Sequence, residues 1–281
     1  MTGKMLISLT SIPRRLNGSL VEVVAMLQRQ TLSCEILVNI PTSYNKWGAE
    51  YSVPDCILNA KGVTVYSPRS DYGPATKLLG ALEYIEDRPD ITHIITVDDD
   101  ILMSESRYLE NLAAYARVIP EFAVTFGGIR LERFPFRFRD GLVYDNAYCF
   151  VDAVSGFRSV MYPAHRLRGK SLPFTFSKNL PSGAANDDDA YFGMLLSEMH
   201  IPLFALPVRR GASSLKVSSL EGGSAVVEGV VKERAQNEME LFQFAVGAGY
   251  LPNRKFEEGG PLSRRQRIQL ALLRLRGIVQ R

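Results

Sequence analysis

His93-Ile-Ile-Thr-Val-Asp-Asp-Asp-Ile101 is the stretch on which the fold turns. A β-branched apolar run, His93 to Val97, passes without a break into three consecutive carboxylates. Such a run is too short for a helix and suits a strand buried on both faces. Working outward, similar short runs recur at Lys4–Leu9, Glu35–Ile40 and Val63–Tyr66. Between them, Leu20–Gln30 and Thr76–Ile85 place apolar residues at helical spacing. Strands that alternate with helices predict an α/β domain with a mostly parallel sheet covered on both faces. Ligands of such sheets bind beyond the carboxyl ends of the strands. That rule sets the Ser8–Arg15 loop, the Ser67–Lys77 loop and the acidic triplet along one rim.

Further along, Arg107–Val118 predicts a helix, and residues 122–162 mix strand candidates with turns and aromatic residues. Asp187–Met199 predicts a helix headed by acids, and Lys232–Val246 a late amphipathic one. Residues 209–227 are rich in Gly, Ser and Ala, as in a loop. The chain is expected to divide into one main domain over 1–260 and a basic amphipathic tail over 261–281.

Composition narrows the class of protein. Of 281 residues, 46% are hydrophobic and 22% charged, an ordinary balance for a globular chain. No apolar run approaches the ~18 residues that span a bilayer. The N-terminal MTGKMLISLTSIPRR has no signal-peptide pattern, so the expected location is cytoplasmic, with the inner face of the membrane as an option. Three scattered cysteines (Cys34, Cys56, Cys149) suit a reducing compartment and no disulfide framework. His93, His165 and His200 form no zinc-binding pattern. A net charge of +3 implies no nucleic-acid partner, and no nucleic-acid-binding module is present.

Three adjacent carboxylates repel one another, and a hard divalent cation relieves that repulsion. Asp98 and Asp100, on one side of an extended backbone, are the expected ligands of Mn²⁺ or Mg²⁺. A cation held by one or two carboxylates keeps coordination positions for a diphosphate. The competing interpretation is a cluster of turn or capping acids, for which one Asp is enough. In the Asp71-Tyr-Gly-Pro-Ala-Thr-Lys77 segment, Gly73-Pro74 turns the chain, Asp71 can accept from a base or ribose, and Lys77 can reach a phosphate.

The ordered set Ser8-Leu-Thr-Ser-Ile-Pro-Arg14, Asp71–Lys77, Val97-Asp-Asp-Asp-Ile101 and Asn186-Asp-Asp-Asp-Ala-Tyr-Phe192 resembles bacterial GT-A glycosyltransferases of a family 2-like kind, over roughly residues 4–210. Their strand-terminal DxD motif is matched by Asp98-x-Asp100. The resemblance implies that Thr10, Ile12 and Arg14 hold the nucleoside of a nucleotide-sugar donor, UDP-sugar first, with Asp71, Lys77, Asp98 and Asp99 against the same donor. It implies that Asp189, or its neighbour Asp188, is the general base of an inverting transfer to a glycan or lipid-linked hydroxyl in surface polysaccharide synthesis. A carboxylate suits that role because the hydroxyl turns acidic only late in the transition state. A retaining mechanism stays open.

Ser155-Gly156-Phe157, between the two acidic clusters, is a candidate for sugar or acceptor contact. The chain departs from many metal-dependent members in having no late histidine to complete the metal shell, and Lys216 is a candidate phosphate contact. Two rival functions share the sheet. A sugar-nucleotide nucleotidyltransferase usually needs a glycine-rich basic loop that SLTSIPRR does not provide. A non-catalytic nucleotide- or carbohydrate-binding protein needs no second acidic cluster. Ser263–Arg281 carries six arginines and no acid, interleaved with Ile and Leu, a pattern that suits a membrane surface or a docked helix.

Overall fold

The computed structural model describes residues 3–42, 50–130, 142–143, 149–169, 188–206, 217–220, 240–249 and 262–279. Four parallel strands form the first half of its main sheet: β1 (Lys4–Thr10), β2 (Glu35–Asn39), β3 (Val63–Tyr66) and β4 (Ile91–Thr96). Beyond the three-residue β5 (Ile101–Met103) lies β6 (Ala123–Thr125). The short strands β7 (Gly128–Ile129), β8 (Leu142–Val143), β9 (Cys149–Phe150) and β10 (Ala153–Val154) follow. Last come β11 (Val160–Pro163), β12 (Leu203–Ala205) and β13 (Val217–Ser219).

Eight strands join in the order β3-β2-β1-β4-β11-β6-β12-β9. β11 runs antiparallel to both β4 and β6, and β9 antiparallel to β12. The expected α/β fold with a mostly parallel central sheet is therefore present. β7, β8 and β10 make a small antiparallel sheet, and β13 pairs with β5.

Side chains of a strand alternate faces, and the core divides accordingly. Leu6, Leu37 and Ile94 point to one face, whereas Ile7, Val38 and Ile95 point to the other. The first face is covered by α3 (Thr76–Tyr84) and by the acid-headed helix at Asp188–Glu198. The second is covered by α1 (Ser19–Gln28) and α4 (Tyr108–Ala116). Between them in sequence, α2 (Asp55–Leu58) is a single turn, as is α5 (Ala164–Leu167), so the acid-headed helix is α6. Each fully buried aliphatic side chain contributes roughly 1.5–3 kcal/mol, and both faces of the sheet are lined with them.

The C-terminal helix α7 (Arg264–Val279) lies against α4. Leu270 is buried in the core beside α4, and Gln266 Nε2 donates to the Val118 carbonyl at 3.3 Å. Ile268 and Leu272 face outward, 52% and 49% exposed. No helix among the described residues is long and apolar enough to cross a membrane.

Candidate active site

The register of the sheet gathers the site. Thr96 at the end of β4 pairs with Ser8 of β1 and with Val160, the first residue of β11. Val160 in turn pairs with Thr125, the last residue of β6. The loops after β1 and β4 and the turn before β11 thus emerge on one rim.

The fourth strand stops short of the acids. β4 ends at Thr96, and Asp99–Asp100 form a turn into β5. The pleat therefore does not set Asp98 and Asp100 on a common side, because a turn replaces the extended backbone. The three carboxylates instead separate by partner. Asp98 contacts Lys77 Nζ. Asp99 accepts from Arg15 Nη1 at 2.6 Å and from Ser11 Oγ at 2.5 Å. Asp100 Oδ2 lies 3.1 Å from Arg15 Nη2. Burial pushes the Asp99 carboxyl up to about 6, against the pull of Arg15 and Ser11.

Ser11 and Arg15 escaped the sequence reading, which named their neighbours Thr10, Ile12 and Arg14. Thr10 Oγ1 donates to the Asn39 carbonyl at 2.9 Å, tying β1 to β2. Ile12 precedes a single 3-10 turn, Pro13–Arg15, and is partly buried, while Arg14 is exposed. That turn is what carries Arg15 to the acids. The only sequence signal was a second arginine beside the first.

The Asp71–Lys77 segment is also built from its own polar groups. Asp71 Oδ1 accepts the Gly73 N–H at 2.8 Å, and Thr76 Oγ1 accepts the Tyr72 N–H at 2.9 Å. These bonds close the turn into α3. Lys77, in the first turn of that helix, is only 4% exposed. Its carbonyl accepts from Ser8 Oγ at 2.6 Å, and Asn39 Nδ2 donates to the same Ser8 hydroxyl at 2.8 Å. Gly80, one turn on, has no Cβ because Asn39 fills that space. The ammonium of Lys77 pairs with Asp98 and, at 2.6 Å, with Asp188 Oδ2. Burial opposes its charge, yet Asp188 and Asp98 more than offset that and hold its pKa well above the usual lysine range.

Asp188 and Asp189 open α6, where the helix dipole favours negative charge. Asp187 and Asn186 lie outside the described residues, as do Lys216 and most of residues 209–227. α6 packs closely on β10 because Gly193 has no side chain. A Cβ there would lie 2.7 Å from the Asp152 carbonyl oxygen. β10 leads directly into Ser155 and the 3-10 turn Gly156–Arg158. The Gly156 N–H donates to Asp189 Oδ1 at 2.8 Å. Ser155 and Gly156 are buried, and Phe157 is partly exposed at the edge.

Ser159 closes this turn at φ 60° and ψ 142°, a conformation that costs a non-glycine residue roughly 1–3 kcal/mol. The flanking carbonyls are pinned: Tyr108 Oη donates to Arg158 O at 2.8 Å, and Thr125 Oγ1 lies 3.0 Å from Ser159 O.

Two acidic clusters thus meet on one rim, one from the β4–β5 turn and one from the start of α6. Among the described residues, no group of three or more His, Cys, Asp or Glu side chains is arranged to enclose a metal ion. A cation held by two carboxylates and a diphosphate needs no such enclosure. Asp98 and Asp100 are hard oxygen donors, the ligand type that suits Mg²⁺ or Mn²⁺, and their side chains keep 26% and 18% of their exposure at the rim.

No family model matches the sequence, and no curated relative matches it. Among solved structures, the chain is similar to 4-diphosphocytidyl-2C-methyl-D-erythritol synthase at 11% identity and a TM-score of 0.46, over 85% of this chain and 100% of that one. It is similar to CMP:2-keto-3-deoxy-manno-octonic acid synthetase complexed with CTP at 13% identity and a TM-score of 0.45, over 84% and 98%. It is also similar to S. aureus TarS at 13% identity and a TM-score of 0.43, over 73% of this chain and 35% of TarS. At these identities and scores, the assignment of function falls to the site itself.

Proposed function

We propose that this chain is a metal-dependent glycosyltransferase of the GT-A type, which moves a sugar from a nucleotide-sugar donor to a hydroxyl with inversion. The observation that carries this reading is the meeting of two acidic clusters on one rim, joined through the buried Lys77. A transferase of this kind needs one group that steadies a departing diphosphate and another that takes a proton from the acceptor. The two clusters supply one candidate for each.

Asp98 and Asp100 would hold Mn²⁺ or Mg²⁺, and the cation would supply charge stabilisation for the leaving nucleoside diphosphate. Arg15 fixes the β4–β5 turn through Asp99 and Asp100. Thr10, Ile12, Arg14 and Asp71 border the same loops and are the proposed nucleoside contacts, UDP first. Asp189 is the proposed base, with the Gly156 N–H orienting one carboxylate oxygen. Ser155 and Phe157 stand beside it as sugar contacts. The proposed acceptor is a glycan or lipid-linked glycan of surface polysaccharide synthesis. Peripheral contact of residues 263–281 with the inner face of the membrane belongs to this reading, supported by the outward Ile268 and Leu272 among exposed arginines.

The test is donor cleavage across UDP-, GDP- and CDP-sugars with and without Mn²⁺. Metal-stimulated cleavage of one donor class is expected. If no donor is bound or cleaved under either condition, the reading fails.

A further inference from the structure

We infer that Lys77 is a positioning residue, which locks the acids of the β4–β5 turn to the acids of α6, and not a ligand of the donor phosphate. The inference rests on the glycosyltransferase reading above. A lysine that receives phosphate presents its ammonium at the rim. The Lys77 side chain is 5% exposed, beneath the rim. An ammonium has three donor hydrogens, and carboxylates from two different elements lie against this one. Both ends of the residue are held: the carbonyl by Ser8, the ammonium by Asp98 and Asp188. Gly156 lies close by as well: a Cβ there would come within 3.4 Å of Nζ.

One side chain therefore spans the end of β4, the start of α3 and the start of α6. Without it, Asp98 and Asp188 are neighbouring like charges with no cation between them, and they repel. Pulling Lys77 toward a phosphate has the same effect. The lock also distinguishes the adjacent carboxylates of α6. Asp188 is committed to Lys77, and Asp189, turned to the Gly156 N–H, takes the proton from the acceptor.

The test uses the full chain with Lys77→Met, Asp188→Asn and the double variant. In urea titrations, Lys77→Met alone is expected to lower the folding constant by about a hundredfold, because it leaves two partly buried carboxylates without their shared cation. The double variant is expected to recover at least about tenfold of that loss. In steady-state transfer, the double variant is expected to lose about a hundredfold in kcat with donor KM within about threefold. Additive stability effects overturn the lock. A tenfold rise in donor KM with kcat kept makes Lys77 a phosphate ligand, and unchanged kcat makes it merely structural; either overturns the inference. A wild-type chain inert to every donor sinks the glycosyltransferase reading alone, and the stability cycle then still decides whether Lys77 is the lock.

Discussion

Asp189 Oδ1 accepts the backbone N–H of Gly156 at 2.8 Å, and a side chain on that glycine would crowd the contact. A Cβ at that position would lie 3.0 Å from the same oxygen. The turn before β11 and the first turn of α6 therefore approach as closely as a hydrogen bond allows. A hydrogen bond to a backbone N–H fixes the direction of the carboxylate, which is what a base needs.

Gly156→Ala is expected to push Asp189 off this bond while leaving both hydrophobic cores intact. Transfer should fall by about tenfold or more, since misplacement by a fraction of an ångström is costly in an oriented site. Thermal unfolding and steady-state kinetics measured on one preparation separate the two effects. Full transfer by the variant would remove this bond from the mechanism.

Asp189→Asn and Asp188→Asn should fail in different ways. The first is expected to abolish transfer yet bind donor and unfold near the wild-type temperature. The second leaves Lys77 buried with one of its two carboxylates gone, a loss on the order of 3–5 kcal/mol for a buried pair broken from one side. Calorimetry of both proteins, with donor titration, checks the contrast. Equal stability of the two variants would contradict it.

Much of this was legible in the residues. Short apolar runs around His93–Val97 predicted β1 to β4, and the C-terminal-end rule put the right loops on one rim. What sequence did not show was pairing across distance. Arg15 and Asp99 are 84 residues apart, and nothing local separates Arg15 from Arg14 until the 3-10 turn fixes their directions. Lys77 looked like a rim lysine because its spacing from Gly73-Pro74 is visible and its burial is not. The place of β11 was hidden as well: residues 155–162 predicted a strand, but nothing local shows that it inserts antiparallel between β4 and β6.

Arg15→Ala is expected to cost stability in a pH-dependent manner. Asp99 is already pushed up to about 6 by burial, and Arg15 is the largest force holding it down. Its folded pKa lies above the ordinary carboxylate value, so its contribution favours the fold in acid and is lost as pH rises through 6. Removing Arg15 raises that pKa further, so the extra cost appears above pH 6. The gap between wild type and variant in urea midpoint should be wider at pH 8 than at pH 5. An equal gap at both would count against this account.

His93 should supply the opposite slope. It is 6% exposed, and burial lowers its pKa, helped by the charges of His165 and Arg117 and partly offset by the Pro120 carbonyl and Glu121. The unfolded chain therefore takes up a proton near pH 6.5 that the folded chain does not, and stability falls as pH drops below that value. His93→Gln is expected to flatten the acid limb of a stability profile between pH 7.5 and 5.5. An unchanged limb would assign it to other groups.

The C-terminal helix offers the last prediction, because its apolar residues lie on two faces. Leu270 enters the core beside α4, which accounts for one face. Ile268 and Leu272, one turn apart, stand about half exposed on the other, near the exposed Arg265 and Arg267. Arginines without any acid suit an anionic surface, where each contributes about 1 kcal/mol and salt weakens the attraction. Burying the remaining half of two aliphatic side chains adds about 1 kcal/mol each. The full chain should therefore sediment with vesicles containing phosphatidylglycerol, less so at high salt, and not with pure phosphatidylcholine. Ile268→Ser with Leu272→Ser should weaken that binding by roughly tenfold or more without altering the melting temperature, since neither side chain enters the core. If the wild-type chain is instead a dimer that the same substitutions dissolve, the face is covered by a second copy and the membrane contact is wrong.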